Sequence, residues 1–359
     1  MGGAGSAHRA GDASVSVIEH FTYEVARAEL KAALDNFCPG HMVFLIGPSG
    51  AGKTTLRHAV MQEVFGNPLY WGTGRIPAIE TISMLPNNAY FSSRELAKSL
   101  NEQLHVPDLA WLLHNNHSLD PAIKEKLLLD IEDARAVWNQ INTSAMTEGD
   151  YWRVLPSLTL ARCCKFISID QVTGLLKNRR NTLPADHTFH LMSIAEAAQI
   201  MFIMTGVPEC TELWSIHHEL RRRVIPIWLR PYSAKVKGDH AHFLRLLKTL
   251  SQRYKLSRPD LLFLMADDLL AASGGLVGHL VRILDNAQIK AKADGAEHIR
   301  KSNICDSFYG QKDLARVWKD VHNFEECSRP ACVRKLSAQI QAEREAIRGD
   351  TATTEGVDA

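Results

Sequence analysis

The 359-residue sequence has almost no excess of either charge sign, with 41 Lys/Arg against 40 Asp/Glu, and only 7% of it is aromatic. No apolar run approaches the roughly eighteen residues that a membrane-spanning helix needs, and the amino-terminal stretch has no continuous apolar core of a secretory leader. A cytoplasmic protein with no membrane contact is expected. The seven cysteines are scattered rather than patterned, which suits reduced thiols and argues against a disulfide framework. No internal repeat is present, so a solenoid or propeller is not expected. Near-neutral overall charge conceals an uneven distribution: residues 161–255 hold 15 Lys/Arg against 7 Asp/Glu, an excess of eight that the rest of the chain cancels. A basic segment of that kind suggests a surface that meets a polyanion, nucleic acid first.

What is present is concentrated in one motif. Gly47, Pro48, Ser49, Gly50, Ala51, Gly52, Lys53 and Thr54 spell G-x-x-x-x-G-K-[ST], after an apolar run at 41–46 and before a helix-like stretch at 54–65. This is a P-loop in its required context. Glycines let successive amides curl around phosphate oxygens, Lys53 reaches the β- and γ-phosphates, and Thr54 ligates Mg²⁺, with Thr55 following in the same turn. The start of the next helix adds unpaired N–H groups to the anion site. ATP and Mg²⁺ are therefore the expected cofactors.

The rest of the chain alternates apolar strands with amphipathic helices. Strands are expected at 75–82, 165–170, 200–205 and 224–228, and helices at 24–36, 92–104, 120–142, 147–164, 188–199 and 209–220. That alternation predicts an α/β fold, a doubly wound parallel sheet with helices on both faces. From about 234 helical patterns take over, at 240–254, 258–272, 275–293 and 302–309. The expected organisation is a disordered tail at 1–16, an α/β core at 17–233, a helical lid at 234–310 and a C-terminal interaction segment at 311–359.

A P-loop needs a second acid to hold Mg²⁺ through water, and Asp170 closes a buried-looking strand in the right place. The next residue, where a water-polarising glutamate is usual, is Gln171. Glutamine orients water but cannot take its proton, and general-base contributions run about 10²–10⁴-fold, so slow or absent hydrolysis is expected. A natural ATP-bound switch and a substitution that traps the ATP state both fit. Thr205 closes the next strand, where a polar side chain can face the γ-phosphate or simply favour a strand. Arg221, Arg222 and Arg223 follow a helix and precede a strand; they read as a finger for a neighbouring subunit or as a solvated helix end. Thr173, Lys177, Arg179 and Arg180 are the DNA candidates, with a second basic surface at 235–237. His322, Cys327 and Cys332 form an irregular H-x₄-C-x₄-C that falls outside standard zinc spacings. Cys163 and Cys164 read as a helix end beside the sheet rather than a redox pair.

Taken in order, the P-loop at 47–55, the strand at 166–171, the run from 191 through 202–206 to 219–223, the Arg230, Pro231, Tyr232 triplet and the glycine-bearing turn at 273–280 resemble the AAA+ ATPases of bacterial DNA transposons, the TniB/TnsC family of target-selection regulators. The likeness covers roughly residues 20 to 295. It implies an AAA+ P-loop core with a C-terminal helical lid, and ATP-dependent assembly into a ring or helical filament on double-stranded DNA. Recruitment of transposase and a target-selection protein is implied too. Lys53, Thr54, Asp170, Thr205 and one of Arg222 or Arg223 would then act in nucleotide binding and turnover. Two departures stand out: Gln171, and the lack of an arginine at the start of the lid helix just after Gly278, where His279 and Arg282 are the available substitutes. The alternatives are a nucleotide-gated signalling switch that recruits a protein effector without DNA, and a small-molecule kinase, which the arginine cluster and the helical lid do not favour.

Overall fold

The computed structural model describes residues 18–66, 71–72, 74–83, 90–108, 121–141, 145–177, 183–215, 217–330, 333–334 and 337–345. Its centre is a five-stranded sheet of β1 (Met42–Ile46), β2 (Ala78–Ile82), β3 (Phe166–Asp170), β4 (Met201–Gly206) and β5 (Val224–Trp228). All pairings are parallel and the order is β2-β3-β4-β1-β5. β3 and β4 thus lie between β1 and β2, and the carboxyl ends of all five strands fall on one edge.

Why these segments form inner strands follows from their composition. β1 has no polar residue, and its side chains alternate between two cores: Met42, Phe44 and Ile46 on one face, Val43 and Leu45 on the other. A parallel strand covered on both faces needs that near-continuous apolar run. The helix Phe21–Asp35 packs Tyr23, Ala26 and Leu30 into the second core, while Ser93–His105 and Glu148–Ala161 supply the first. Two caps set helix starts: Ser92 accepts from the Glu95 amide, and Thr147 and Asp150 close a reciprocal capping box.

Three expected boundaries are corrected. The strand expected at 75–82 begins at Ala78, because Pro77 cannot donate to a ladder and instead accepts from the Lys165 and Phe166 amides. The single helix expected at 209–220 is a 3₁₀ turn, Pro208–Thr211, followed by Glu212–Ser215 and His218–Arg223. Pro208 starts the tight turn, and the chain reopens before His218 to reach the start of β5. The helix expected at 258–272 divides at Met265 into Leu261–Leu264 and Ala266–Ser273, Met265 itself leaving helical geometry.

The helical region has its own core, where Phe243, Leu246, Leu247 and Leu250 of Asp239–Arg253 meet Leu280, Ile283 and Leu284 of Val277–Ala293. Arg230 fixes the entry to it. Its Nη2 donates to Asp239 Oδ1 at 2.8 Å, and the second oxygen of that nearly inaccessible carboxylate accepts from the Ser233 amide at 3.0 Å. Tyr232 donates its amide to Gly275 O at 2.9 Å, and a Cβ on Gly275 would run into the Tyr232 carbonyl. The two motifs at 230–232 and 273–280 are therefore one joint.

The segment expected as an interaction region opens with a helix, Gln311–Ser328, whose Val317, Val321 and Phe324 are buried. Residues 325–359 form a separate unit, helical over the described residues 337–345. The tail expected at 1–16 lies outside the described residues. Among the described residues no helix is long and apolar enough to cross a membrane.

Candidate functional site

The carboxyl edge of the sheet carries a cleft of about 560 Å³, lined by Ser49, Gly50, Lys53, Thr54, Asp170 and Thr205 among others. The P-loop leaves β1 and turns into the helix Lys53–Phe65, whose first residue follows a left-handed Gly52 with φ of 94°. Gly52 has no side chain to cap the helix, so the first-turn amides remain for an anion. Lys53 Nζ lies back on the loop, donating to the Gly47 and Pro48 carbonyls at 2.8 Å each. Burial pushes its ammonium down to about 8, with Asp170 working weakly in the opposite direction. A cation satisfied only by carbonyls and short of solvent gains from an arriving anion.

Asp170 ends β3 and faces Thr54, whose hydroxyl donates to Oδ2 at 3.0 Å, while Oδ1 accepts the Gln171 amide at 2.8 Å. Gln171 has φ of 53°, a left-handed backbone that a non-glycine residue adopts at a cost of about 1–3 kcal/mol. Its carbonyl accepts from Ser83 Oγ and from the Gly174 amide, and its exposed side chain lines the cleft. Thr205, at the end of β4, is 1% exposed and its Oγ1 has no partner among the described residues. A buried hydroxyl left open at a cleft wall is a group that a ligand or water would satisfy.

The lid closes on the loop through backbone. Gly278 donates its amide to Gly50 O at 2.9 Å, and a Cβ on Gly278 would stand 2.5 Å from that oxygen. His279 follows, with Nε2 at 3.2 Å from Ser49 O and Nδ1 at 2.7 Å from Tyr309 Oη. These partners fit one neutral tautomer, Nε2–H donating to the carbonyl and Nδ1 accepting from the phenol, and burial moves the imidazole below its usual range. His279, rather than Arg282, is thus the lid residue on the P-loop.

The remaining sequence candidates divide between positions. Thr173 and Lys177, expected on a DNA-facing loop, line the same cleft as the P-loop, on and just after a 3₁₀ turn, Val172–Leu176. Arg179 and Arg180 lie outside the described residues. Arg221, Arg222 and Arg223 sit at the opposite edge of the sheet, because Val224 pairs with Met42 at the start of β1. Four strand steps of about 3.3 Å put them roughly 13 Å below the loop, beyond reach of their own cleft. Arg221 Nε donates to Ser215 O at 2.9 Å and Arg223 pairs with Glu196. Arg222 is exposed and makes no ion pair among the described residues.

Cys164 is buried and its thiol is pushed up to about 12 by that burial, whereas Cys163 is exposed. Cys332 lies outside the described residues, and among those described no group of three potential ligands surrounds a metal position.

Sequence reasoning missed the group behind Asp170. Arg57, 0% exposed, donates from Nη1 to Ser168 Oγ at 2.7 Å and from Nη2 to Glu80 Oε1 at 2.6 Å and Asp170 Oδ2 at 3.1 Å. His58 Nε2 lies 2.9 Å from the other Glu80 oxygen. A signal was available: Glu80 and Ser168 interrupt strands otherwise covered on both faces, and a charge in such a place requires a partner.

No protein-family model and no curated protein matches the chain. Among solved structures it is similar to the ORC2 protein of Aeropyrum pernix in ADPNP–ADP complexes, at 14% identity and a TM-score of 0.50, covering 80% of this chain and 66% of that one. Drosophila ORC bound to DNA gives 15% and 0.47, with 92% and 82% covered. The Walker-type ATPase of Pyrococcus abyssi gives 14% and 0.46, with 94% and 77% covered. The chain spans just under two thirds of the length of the Aeropyrum protein, and at these identities the likeness speaks for fold alone. With its strand order, the P-loop after β1 and the helical lid on that loop, the chain has the fold of the AAA+ P-loop ATPases.

Proposed function

We propose that this protein is an ATP-dependent regulator of DNA transposition, which assembles on double-stranded DNA and recruits a transposase. The observation that carries the assembly step is the separation of Arg222 from its own cleft: an exposed arginine about 13 Å from the P-loop can serve a phosphate only in a neighbouring copy. The DNA and transposase steps rest on the resemblance of the ordered motifs and on the basic stretch at 161–255.

The donor set suits Mg-ATP. Lys53 would exchange two carbonyl bonds for phosphate oxygens, and Thr54 and Asp170 present a hydroxyl and a carboxylate to a hard dication. The bound Mg²⁺ would draw charge from the phosphates. Thr205 Oγ1, open and buried, would take either a phosphate oxygen or a water. Gln171 would hold that water by hydrogen bonds without removing its proton, so assemblies persist rather than turn over. Arg222 would reach the neighbour's cleft. Lys177, which lines the cleft, would meet phosphate as well as DNA, with Arg179 and Arg180 as the other DNA candidates.

Electron microscopy with Mg-ATP, with and without a duplex of random sequence, tests the reading. Rings or filaments around the duplex that vanish in Lys53→Ala are expected. Assembly indifferent to DNA would point to the signalling switch, and no assembly in Mg-ATP would end the proposal.

A further inference from the structure

Among the described residues Arg57 is the one fully buried cation beside the cleft, and neither the P-loop motif nor the arginine cluster accounts for it. It stands one turn after Lys53 on the same helix, yet its surroundings are opposite. Among the described residues Lys53 hydrogen-bonds backbone carbonyls alone, whereas Arg57 meets a hydroxyl and two carboxylates and lies 3.0 Å from His58 Nε2. Its Nε has no partner among the described residues, so the guanidinium is not placed there to fill every donor; what it gains is the pair of acids.

The geometry has a direction. Asp170 Oδ2 receives both Thr54 Oγ1 and Arg57 Nη2, so the carboxylate is clamped with one edge toward the P-loop threonine and the other on the Gln171 amide. Glu80, which pairs in register with Ser168 on the adjacent strand, holds the far side of Arg57 and is itself engaged by His58. Its carboxylate is committed to Arg57 and His58, and it does not line the cleft, so it cannot replace the base that Gln171 omits. From behind the strand, Arg57 thus adds a third contact to the two that Thr54 and the Gln171 amide make with Asp170.

We infer that Arg57, held by Glu80 and Ser168, is a positioning residue that fixes Asp170 for a divalent cation beside Thr54. The inference rests on the Mg-ATP reading of the cleft. Metal-site partners of this kind orient the group that meets the metal or its waters, and losing one weakens metal binding about 10–100-fold. Lysine keeps the charge but cannot span Ser168, Glu80 and Asp170 from one planar fork.

The test separates metal from nucleotide. Binding of a fluorescent ATP analogue is titrated once in EDTA and once with increasing Mg²⁺, for wild type, Arg57→Lys and the double variant Arg57→Met/Glu80→Gln. The double variant removes both charges of the pair, so neither remains buried and unmatched. The expected result is unchanged affinity in EDTA and a Mg²⁺ requirement raised about 10–100-fold in both variants. A requirement that is unchanged or lower, or a loss of affinity in EDTA that matches the loss with Mg²⁺, overturns the positioning role. Wild type that binds no nucleotide under either condition instead overturns the reading of the cleft.

Discussion

At the carboxyl edge of the sheet Lys53 is held by backbone carbonyls and Asp170 by Thr54, Arg57 and the Gln171 amide, and the Thr205 hydroxyl has no partner among the described residues; at the amino edge stand Arg221, Arg222 and Arg223, of which, among the described residues, Arg223 has an acidic partner. The first arrangement offers buried donors to an anion and a hydroxyl and a carboxylate to a cation. The second has cations with little to hold. Surface ion pairs such as Arg223 with Glu196 contribute at most about 1 kcal/mol, so the fold does not require the cluster where it is. On the proposed reading, the cluster of one copy serves the cleft of the next.

The sharpest way to break that comparison is Arg222→Ala in a Gln171→Glu background, where turnover exists to be lost. Steady-state phosphate release should fall about 10³–10⁵-fold while ATP binding persists. Mixing this variant with Lys53→Ala should restore part of the rate, since one supplies an intact cleft and the other an intact arginine. Absence of rescue would mean the arginine acts within its own chain. Arg223→Ala should cost far less, because that side chain is already engaged by Glu196.

Gln171→Glu alone comes next. A carboxylate at the same left-handed position can accept the proton of the attacking water, and release of phosphate should rise about 10²–10⁴-fold. Assemblies should then dissolve as ATP is consumed, which light scattering would follow. An unchanged rate would show that water is not activated from this position.

How much of this was legible beforehand depends on how local each signal is. The P-loop, Asp170 and the strand alternation come from short contiguous patterns, and each stands at the edge where a parallel sheet presents its carboxyl ends. Glu80 and Ser168 signalled that a partner was needed, but Arg57 was not legible as that partner because its two acids are 23 and 113 residues away and a helix reading sees only one more polar residue in an amphipathic turn. The joint of Arg230 with Asp239, and of Tyr232 with Gly275, was legible only as two separate motifs. The single helix expected at 209–220 failed for the reverse reason: local propensity favoured it, but the chain must fall from the cleft edge to the start of β5, and three short pieces make that descent.

The lid offers a smaller effect. Gly278→Ala would drive a methyl against Gly50 O, and overpacking of this kind costs about 1–3 kcal/mol unless the lid shifts. A lower melting temperature without ATP and weaker ATP binding are expected together. A loss of stability with unaltered binding would separate the lid from the cleft.

The smallest effect is the most diagnostic of how Lys53 is held. Its pKa of about 8 in the free protein lies below the ordinary lysine value because burial penalises the ammonium, and a bound polyphosphate would raise it again. Below pH 8 the lysine is already charged, so ATP affinity should be flat with respect to this group. Above pH 8 binding must take up a proton, and affinity should fall by up to about tenfold per pH unit until the pKa of the complex is reached. For folding of the free protein the sign is opposite. The unfolded chain binds the proton more tightly, so the penalty this group places on the folded state is relieved as pH rises from about 8 to the unperturbed value of roughly 10.4. Calorimetry in buffers of different ionisation heat would count the proton directly. Uptake approaching one proton per ATP at pH 9 supports the buried lysine, and none would mean that Lys53 leaves the Gly47 and Pro48 carbonyls for solvent before any nucleotide arrives.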